Sequence, residues 1–237
     1  MRRLIFLLLP GLMMTSGLMA QIQPGFSPGY MTNSFEVFDA NGKTFTNPAT
    51  TDIAGSPFWQ DEWSECSLLT KDGKQYDHVR FRLNLQSQEL HFQSKTNQEL
   101  AAPAGSVTTI LLYDSVIRGG SGTLFQCGFP AVDNRKTTDF YEILCQGKAS
   151  LLHSRVKTLS VHKDDMSGEV TKEYLLYEDD YLFIQGKMVR LKKDRSFMLV
   201  QLADKKDQVS AYINNNNLKL KTIEEIKTLI NYYNTLP

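Results

Sequence analysis

From about residue 35 to 190 the chain alternates apolar and polar residues in short segments closed by turn formers. This period of two is its strongest folding constraint. Successive side chains of a strand point to opposite faces, so each such segment can bury one side in an antiparallel sheet and leave the other polar. Residues 78–93, "HVRFRLNLQSQELHFQ", show the pattern best. A two-residue turn at Gln86-Ser87 sets Leu85 opposite Gln88, Leu83 opposite Leu90 and Phe81 opposite Phe92, with the apolar pairs on the inner face. Asn84 then faces Glu89, Arg82 faces His91 and Arg80 faces Gln93 on the outer face. A one-residue slip would set apolar side chains against polar ones.

Other segments repeat the pattern. "FEVF" precedes Asn41-Gly42, "SECSLLT" precedes Lys71-Asp72-Gly73, and "SVTTILLY" precedes a glycine-rich loop. "FYEILCQ" turns at Gly147-Lys148 into "SLLHS". "EYLLY" turns at Asp179-Asp180 into "YLFI", which turns again at Gln185-Gly186. After Leu191 the period lengthens. By period alone "SFMLVQLA" (196–203) fits strand or helix, and helix is preferred because three helical segments in sequence make a compact cap. Residues 205–214 place Val209, Tyr212 and Ile213 on one helical face behind Asp204 as N-cap. Thr222 and Glu225 form a capping box ahead of an Ile223, Ile226, Leu229, Ile230, Tyr233 stripe, which predicts a helix over 222–234. The expected fold is mainly β: an antiparallel β domain (open meander, sandwich or partial barrel) over 35–190, with a helical C-terminal segment, 191–237, packed on it.

The first twenty residues read as a signal peptide. Arg2 and Arg3 precede an apolar run from Leu4 to Met14, and Ser16-Gly17-Leu18-Met19-Ala20 offers a cleavage site before Gln21. That run is short of the roughly 20 residues of a spanning helix, and no later segment approaches it. The first cysteine is Cys66, so no lipid attachment site follows the cleavage position. The expectation is export to the periplasm or beyond, without a lipid anchor or a transmembrane segment. Residues 21–34, with two Pro-Gly pairs, read as an irregular lead-in.

Removing the two leader arginines turns 26 basic and 26 acidic residues into 24 and 26, a net charge of about −2. The basic residues are scattered, with no one-sided patch of the kind nucleic acid demands. Cys66, Cys127 and Cys145 allow one disulfide at most. Cys127 and Cys145 lie in apolar runs where a thiol serves as a small hydrophobe. No glycine-rich phosphate loop, dinucleotide fingerprint or zinc spacing occurs, so no cofactor or metal is indicated. "GGSGT" (119–123) falls short of a nucleophile elbow, and His162 with Asp164 and Asp165 lacks calcium-loop spacing.

The stretches "GSPFWQDEW", "DGKQYDHVRFRLNL", "FYEILCQGKASLL" and "YLFIQGKMVRLKK", with the tail from Asp204, resemble a group of uncharacterised exported proteins of the Bacteroidota. The resemblance covers most of the chain after the leader. It implies export and a β domain with a helical tail, and brings no activity and no site residues.

Two surfaces are candidates for function. In "PFWQDEW", Trp59 and Trp63 beside Asp61 and Glu62 could stack on and hydrogen-bond a glycan, or could plug the end of the β core with Phe58. On the hairpin, Arg82 opposite His91, flanked by Arg80, would welcome an anion, though a solvated polar face is what any half-buried hairpin needs. With no acid–base–nucleophile constellation in view, the reading is a non-catalytic module that binds an envelope component or glycan. The alternative is a secreted hydrolase whose carboxylates meet only in the fold.

Overall fold

The computed structural model describes residues 53–113, 122–163 and 170–237. Expectations for the leader, the lead-in, "FEVF" and the 164–169 turn lie outside these residues, as does most of "GGSGT". Ten strands form one antiparallel sheet: β1 (Ser64–Thr70), β2 (Gln75–Asn84), β3 (Glu89–Gln93), β4 (Glu99–Ala101), β5 (Val107–Leu112), β6 (Leu124–Gln126), β7 (Tyr141–Cys145), β8 (Ala149–Lys163), β9 (Val170–Ile184) and β10 (Lys187–Arg190). The order β10-β9-β8-β7-β6-β5-β1-β2-β3-β4 is open and makes two meanders that diverge from the β1–β5 pair. The expected mainly β fold with a helical C-terminal segment is therefore what the chain adopts.

The sheet curls. Four strands separate β8 from the β2–β3 hairpin in sheet order, yet Lys157 N donates to Leu85 O (3.1 Å). The Gln88 amide clinches the contact. Its Nε2 donates to Leu85 O and Arg155 O, both at 3.0 Å, and its Oε1 accepts from Phe140 N at 3.1 Å. A polar side chain placed there can be buried because its hydrogen-bonding groups are met.

The hairpin register is as expected, with Phe81 opposite Phe92, Arg82 opposite His91 and Leu83 opposite Leu90. Its turn is wider: Asn84–Glu89 is the last paired rung, and residues 85–88 form a four-residue turn. Asn84 Oδ1 accepts from Gln86 N and Ser87 N, and Gln88 takes a left-handed φ of 59°. Register survives because the turn opens symmetrically about the same centre.

Asp179-Asp180 is not a turn. β9 runs through it, since each carboxylate meets cations: Asp179 pairs with Arg135 and Arg190, and Asp180 with His153 and Lys193. Neutralised in this way, the two residues accept strand geometry. The true turn is Gln185-Gly186, where both residues have positive φ (50° and 74°), the pattern of a tight type I′ hairpin.

Three helices follow: α1 (Arg195–Gln201), capped by Asp194, whose side chain accepts from Phe197 N; α2 (Lys206–Asn215); and α3 (Ile223–Thr235), with the Thr222/Glu225 capping box in place. Asp204 does not cap α2. It sits in a 3₁₀ turn and accepts a hydrogen bond from Tyr233 Oη at 3.1 Å, so its carboxylate ties α3 to the segment between α1 and α2.

Two packed layers result. One core lies against β1–β6, built from Leu68, Phe81, Leu83, Phe92, Ile110 and Phe125 among others. The other joins Ala149, Leu151, Leu182 and Ile184 to Met198, Val209, Ile226, Leu229 and Ile230 of the helices. Leu152 and Tyr181 face the opposite side and pack with Tyr141 and Met188. Burial on both faces explains why these parts of β8 and β9 are apolar without alternation. The end of α3 is fastened to the β7–β8 turn by Asn234, whose side-chain amide bonds both Ala149 N and Ala149 O at 2.9 Å. A Cβ at position 147 would come within 2.4 Å of Asn234 Cγ, so only glycine fits beneath that amide.

All three cysteines are free. Burial pushes the Cys127 thiol up to about 11, and the Cys66 and Cys145 thiols are also raised by burial. They are poor nucleophiles.

Candidate functional site

The sequence candidates divide between the two sides of β2. Trp59 turns to the core side and packs edge-on against Phe125, with ring centroids 5.1 Å apart. Trp63 lies on the other side, over the Arg82 guanidinium at 4.5 Å, while Phe58 covers that guanidinium at 4.1 Å. The two indoles therefore do not share a surface. Arg80 is exposed, and Asp61 contributes its backbone carbonyl, which accepts from Arg82 Nη1 at 3.2 Å.

At Arg82 and His91 the outer face of the hairpin is covered rather than solvated, while Arg80 stays exposed. The anion that Arg82 and His91 call for is Glu99 of β4. Its Oε2 pairs with Arg82 Nη2 at 2.6 Å and its Oε1 with His91 Nδ1 at 2.7 Å. His91 is only 4 % exposed and presents its ring to Phe58 edge-on, with centroids 5.1 Å apart. A planar guanidinium between two rings and on a carboxylate is an arrangement that arginine alone provides. Its effect is to clamp residues 58–63 onto the sheet. Lys157 adds to the clamp by donating to Ser56 O (2.8 Å) and Phe58 O (2.6 Å). Arg82→Ala should therefore lower stability by about 1.5–3 kcal/mol, well above the value for a solvated side chain. Arg82→Lys should recover only part of it. Denaturant midpoints for both variants check this, and a loss below about 0.5 kcal/mol for the alanine would refute the clamp.

A second constellation was not foreseen. β1 and β2 are out of step between Cys66/Leu68 and Val79/Tyr76, leaving Asp77 and His78 in a bulge opposite Ser67, with His78 at a left-handed φ of 57°. Asp77 Oδ1 accepts from Ser67 Oγ (2.5 Å), Gln75 Nε2 (3.0 Å) and Tyr113 Oη (3.2 Å). His78 stacks on the Tyr113 ring and pairs through Nδ1 with Glu65 at 2.5 Å. Burial works against the Asp77 carboxylate, but the three donors outweigh it and its pKa is lowered. Ser67 is only 3 % exposed, so its hydroxyl serves Asp77 and is not presented to a substrate.

The third is a ladder of charges across β7, β8 and β9. Glu142, His153 and Asp180 are cross-strand neighbours, as are Arg155 and Glu178. Both ring nitrogens of His153 face carboxylates, Nδ1 to Asp180 (2.8 Å) and Nε2 to Glu178 (3.3 Å), which is the setting of an imidazolium. Arg155 pairs with Glu178 and Glu142, and Lys193 with Asp180. The Asp180 hydrogen bond raises the His153 pKa against the opposing effect of burial. Burial pushes both carboxylates up, but His153 and Lys193 at Asp180, and His153 and Arg155 at Glu178, overcome it and lower them.

The raised imidazole stabilises the fold fully below its ordinary value of 6.5, and this is lost as pH rises through the folded value. The lowered carboxylates stabilise above their ordinary 3.8 and 4.5, and this is lost as pH falls. The network therefore contributes most between about pH 4.5 and 6.5. His153→Gln should destabilise more at about pH 5.5 than at about pH 9, as read from urea midpoints. An equal loss at both would show that the imidazole is uncharged.

The most distinctive surface is apolar. β7 covers β8 at Tyr141–Cys145, opposite Leu151–Ser154, and β10 covers β9 at Tyr181–Ile184. Beyond these rungs the two long strands continue as a hairpin arm, paired rung by rung out to Lys163–Val170. Ala54 adds one parallel rung to β9, with Ala54 N on Lys172 O (2.8 Å) and Tyr174 N on Ala54 O (3.1 Å). Six of the seven large apolar side chains that stand exposed among the described residues lie on this arm: Leu159, Val161, Val170, Leu175, Leu176 and Tyr177.

Among the described residues no three His, Cys, Asp or Glu side chains gather as a metal ion would require, and no helix is long and apolar enough to cross a membrane. Compared with known protein families, curated proteins and solved structures, the chain matches none.

Proposed function

We propose that this is an exported, non-catalytic binding protein of the cell envelope, akin to the uncharacterised exported Bacteroidota proteins it resembles, and that it works through the β8–β9 arm. The observation that carries this reading is the concentration of exposed apolar side chains on the arm, because exposed apolar surface gathered in one place marks contact with a partner. The leader-like first twenty residues support export. A protein partner fits better than a glycan, since Trp59 and Trp63 lie on opposite sides of β2. Expressed as the full chain, the protein should be recovered outside the cytoplasm with an intact mass beginning at or near Gln21. Val161→Ser/Leu176→Ser/Tyr177→Ser should leave its melting temperature within a few degrees of the parent and cut its retention in the envelope fraction. Unprocessed cytoplasmic protein would sink the export half. Unchanged retention would sink the role of the arm.

The second reading, a secreted hydrolase, draws on the Glu65–His78 pair beside Asp77 and Tyr113. Hydrolysis of esters or glycosides that His78→Ala abolishes would favour it over the binding reading.

A further inference from the structure

The main chain of β9 points its hydrogen-bonding groups alternately toward β8 and away from it. Ala54 N donates to Lys172 O, Tyr174 N to Ala54 O and Leu191 N to Asp180 O, so the even-numbered residues of β9 face outward. Lys157 N, directly opposite Leu176, turns away from β9 to Leu85 O, which fixes the same phase from the other strand. Leu175, Tyr177 and Asp179 are therefore the residues that exchange bonds with β8.

Part of the outward edge is already used. At the outer end Ala54 takes one rung, after which the chain leaves the edge and crosses to Lys157 Nζ, which holds the Ser56 and Phe58 carbonyls. At the base β10 covers Tyr181–Ile184, and Leu191 takes Asp180 O. Between these ends Tyr174 C=O, both groups of Leu176, both of Glu178 and Asp180 N–H meet no main-chain partner among the described residues. The window from Tyr174 to Asp180 is ~20 Å long at about 3.3 Å per residue. Large apolar side chains flank it on both faces, Leu176 on one and Leu175 and Tyr177 on the other, with Leu176 49 % and Tyr177 51 % exposed. Open sheet edges recruit further strands, and proteins blunt them by keeping edge strands short or by placing lysine, proline or a bulge there. The terminal strands of this sheet are short, β4 with three residues and β10 with four. The β9 window has none of these devices: its ladder with β8 runs without a bulge, and no lysine or proline lies between Tyr174 and Asp180.

We propose that this window captures a short extended peptide segment of a partner protein, which pairs with β9 as an added strand. This rests on the arm being the binding surface, and names what the arm binds. The free groups alternate along the edge as in any strand, so the backbone of an extended segment meets each of them. The closed ends set the length. A straight strand longer than the window runs into Ala54 at one end and β10 at the other, which excludes β9 of a second copy and admits a loop or a chain terminus. Apolar side chains alternating along the segment cover Leu176 on one face and Leu175 and Tyr177 on the other.

Hydrogen exchange on the processed full chain tests this. The probe is a peptide alternating valine and threonine, long enough to fill the window and N-methylated on every second residue, so that one edge alone can pair. Without it the amides of Leu176, Glu178 and Asp180 should exchange fast while those of Leu175, Tyr177 and Asp179 are protected. With it the first three should slow at least roughly tenfold. Leu176→Pro removes an outward N–H without touching the β8–β9 bonds. It should keep the melting temperature within a few degrees, abolish the protection of Glu178 and Asp180 by the peptide, and lower envelope retention more than Leu176→Ser does. Outward amides that are slow before any peptide is added overturn the proposal, because the edge is then already occupied. So does a peptide that leaves them fast, or one methylated on both edges that slows them equally; these peptide arms use the wild type and decide the matter even where Leu176→Pro does not fold. If a folded Leu176→Pro keeps full retention while Val161→Ser/Leu176→Ser/Tyr177→Ser loses it, the arm binds through its faces and only the added strand is removed. Retention kept by both removes the role of the arm itself.

Discussion

Ile226→Asp should release the helical segment from the sheet and leave little folded protein at room temperature. Ile226 is fully buried in the first turn of α3, within the core that joins the three helices to Ala149, Leu151, Leu182 and Ile184. Losing its burial forfeits about 1.5–3 kcal/mol, and a carboxylate left there without a partner costs several kcal/mol more. The sum is on the order of 5 kcal/mol or more, a large fraction of the stability of an ordinary domain. The consequence reaches the β domain, because the helices cover one face of β8 and β9 near Leu151 and Leu182. Thr228→Asp, on the exposed side of the same helix, should stay within about 1 kcal/mol. Circular dichroism melts of the pair check this, and an Ile226→Asp midpoint equal to that of Thr228→Asp would mean that α3 does not dock.

That helix could be read from the sequence because its cues are local: the capping box and the apolar stripe both fall within thirteen residues. The hairpin register was legible for the same reason, as alternation on both strands has one solution. What escaped was non-local. Nothing within residues 78–93 says that Glu99 would supply the anion between Arg82 and His91, or that Phe58 and Trp63 would close over the guanidinium. Asp179-Asp180 has turn chemistry, and the pattern shows neither Arg135 nor Lys193 coming to neutralise it. Asp204 was an acceptable cap until Tyr233, 29 residues on, took its carboxylate. The arm did leave a trace. "YLLY" in β9 puts Leu175 and Leu176 on opposite faces, more apolar surface than a strand with one solvated side should carry.

Phe81→Ala should cost about 3–5 kcal/mol, through lost burial and the cavity left in a core that cannot fully close around it. Phe81 is 1 % exposed, lies directly opposite Phe92 and shares a core with Leu68, Ile110 and Phe125. Its neighbours on the chain make the internal controls, because a strand turns successive side chains to opposite faces. Arg80, exposed, should tolerate alanine within about 0.5 kcal/mol. Arg82, held between two rings and on Glu99, should fall between them. The order Phe81, Arg82, Arg80 is therefore the signature of an apolar inner face, a clamped outer face near the turn and a solvated position before it, read from three consecutive residues. In the Phe81→Ala/Phe92→Ala cycle the two losses should not add, since removing either ring already opens the cavity that the other borders. Additive losses would show that the rings are not packed together. An Arg80→Ala loss matching that of Phe81→Ala would show the register displaced by one residue, which would turn every core assignment on β2 and β3 to the wrong side of the sheet.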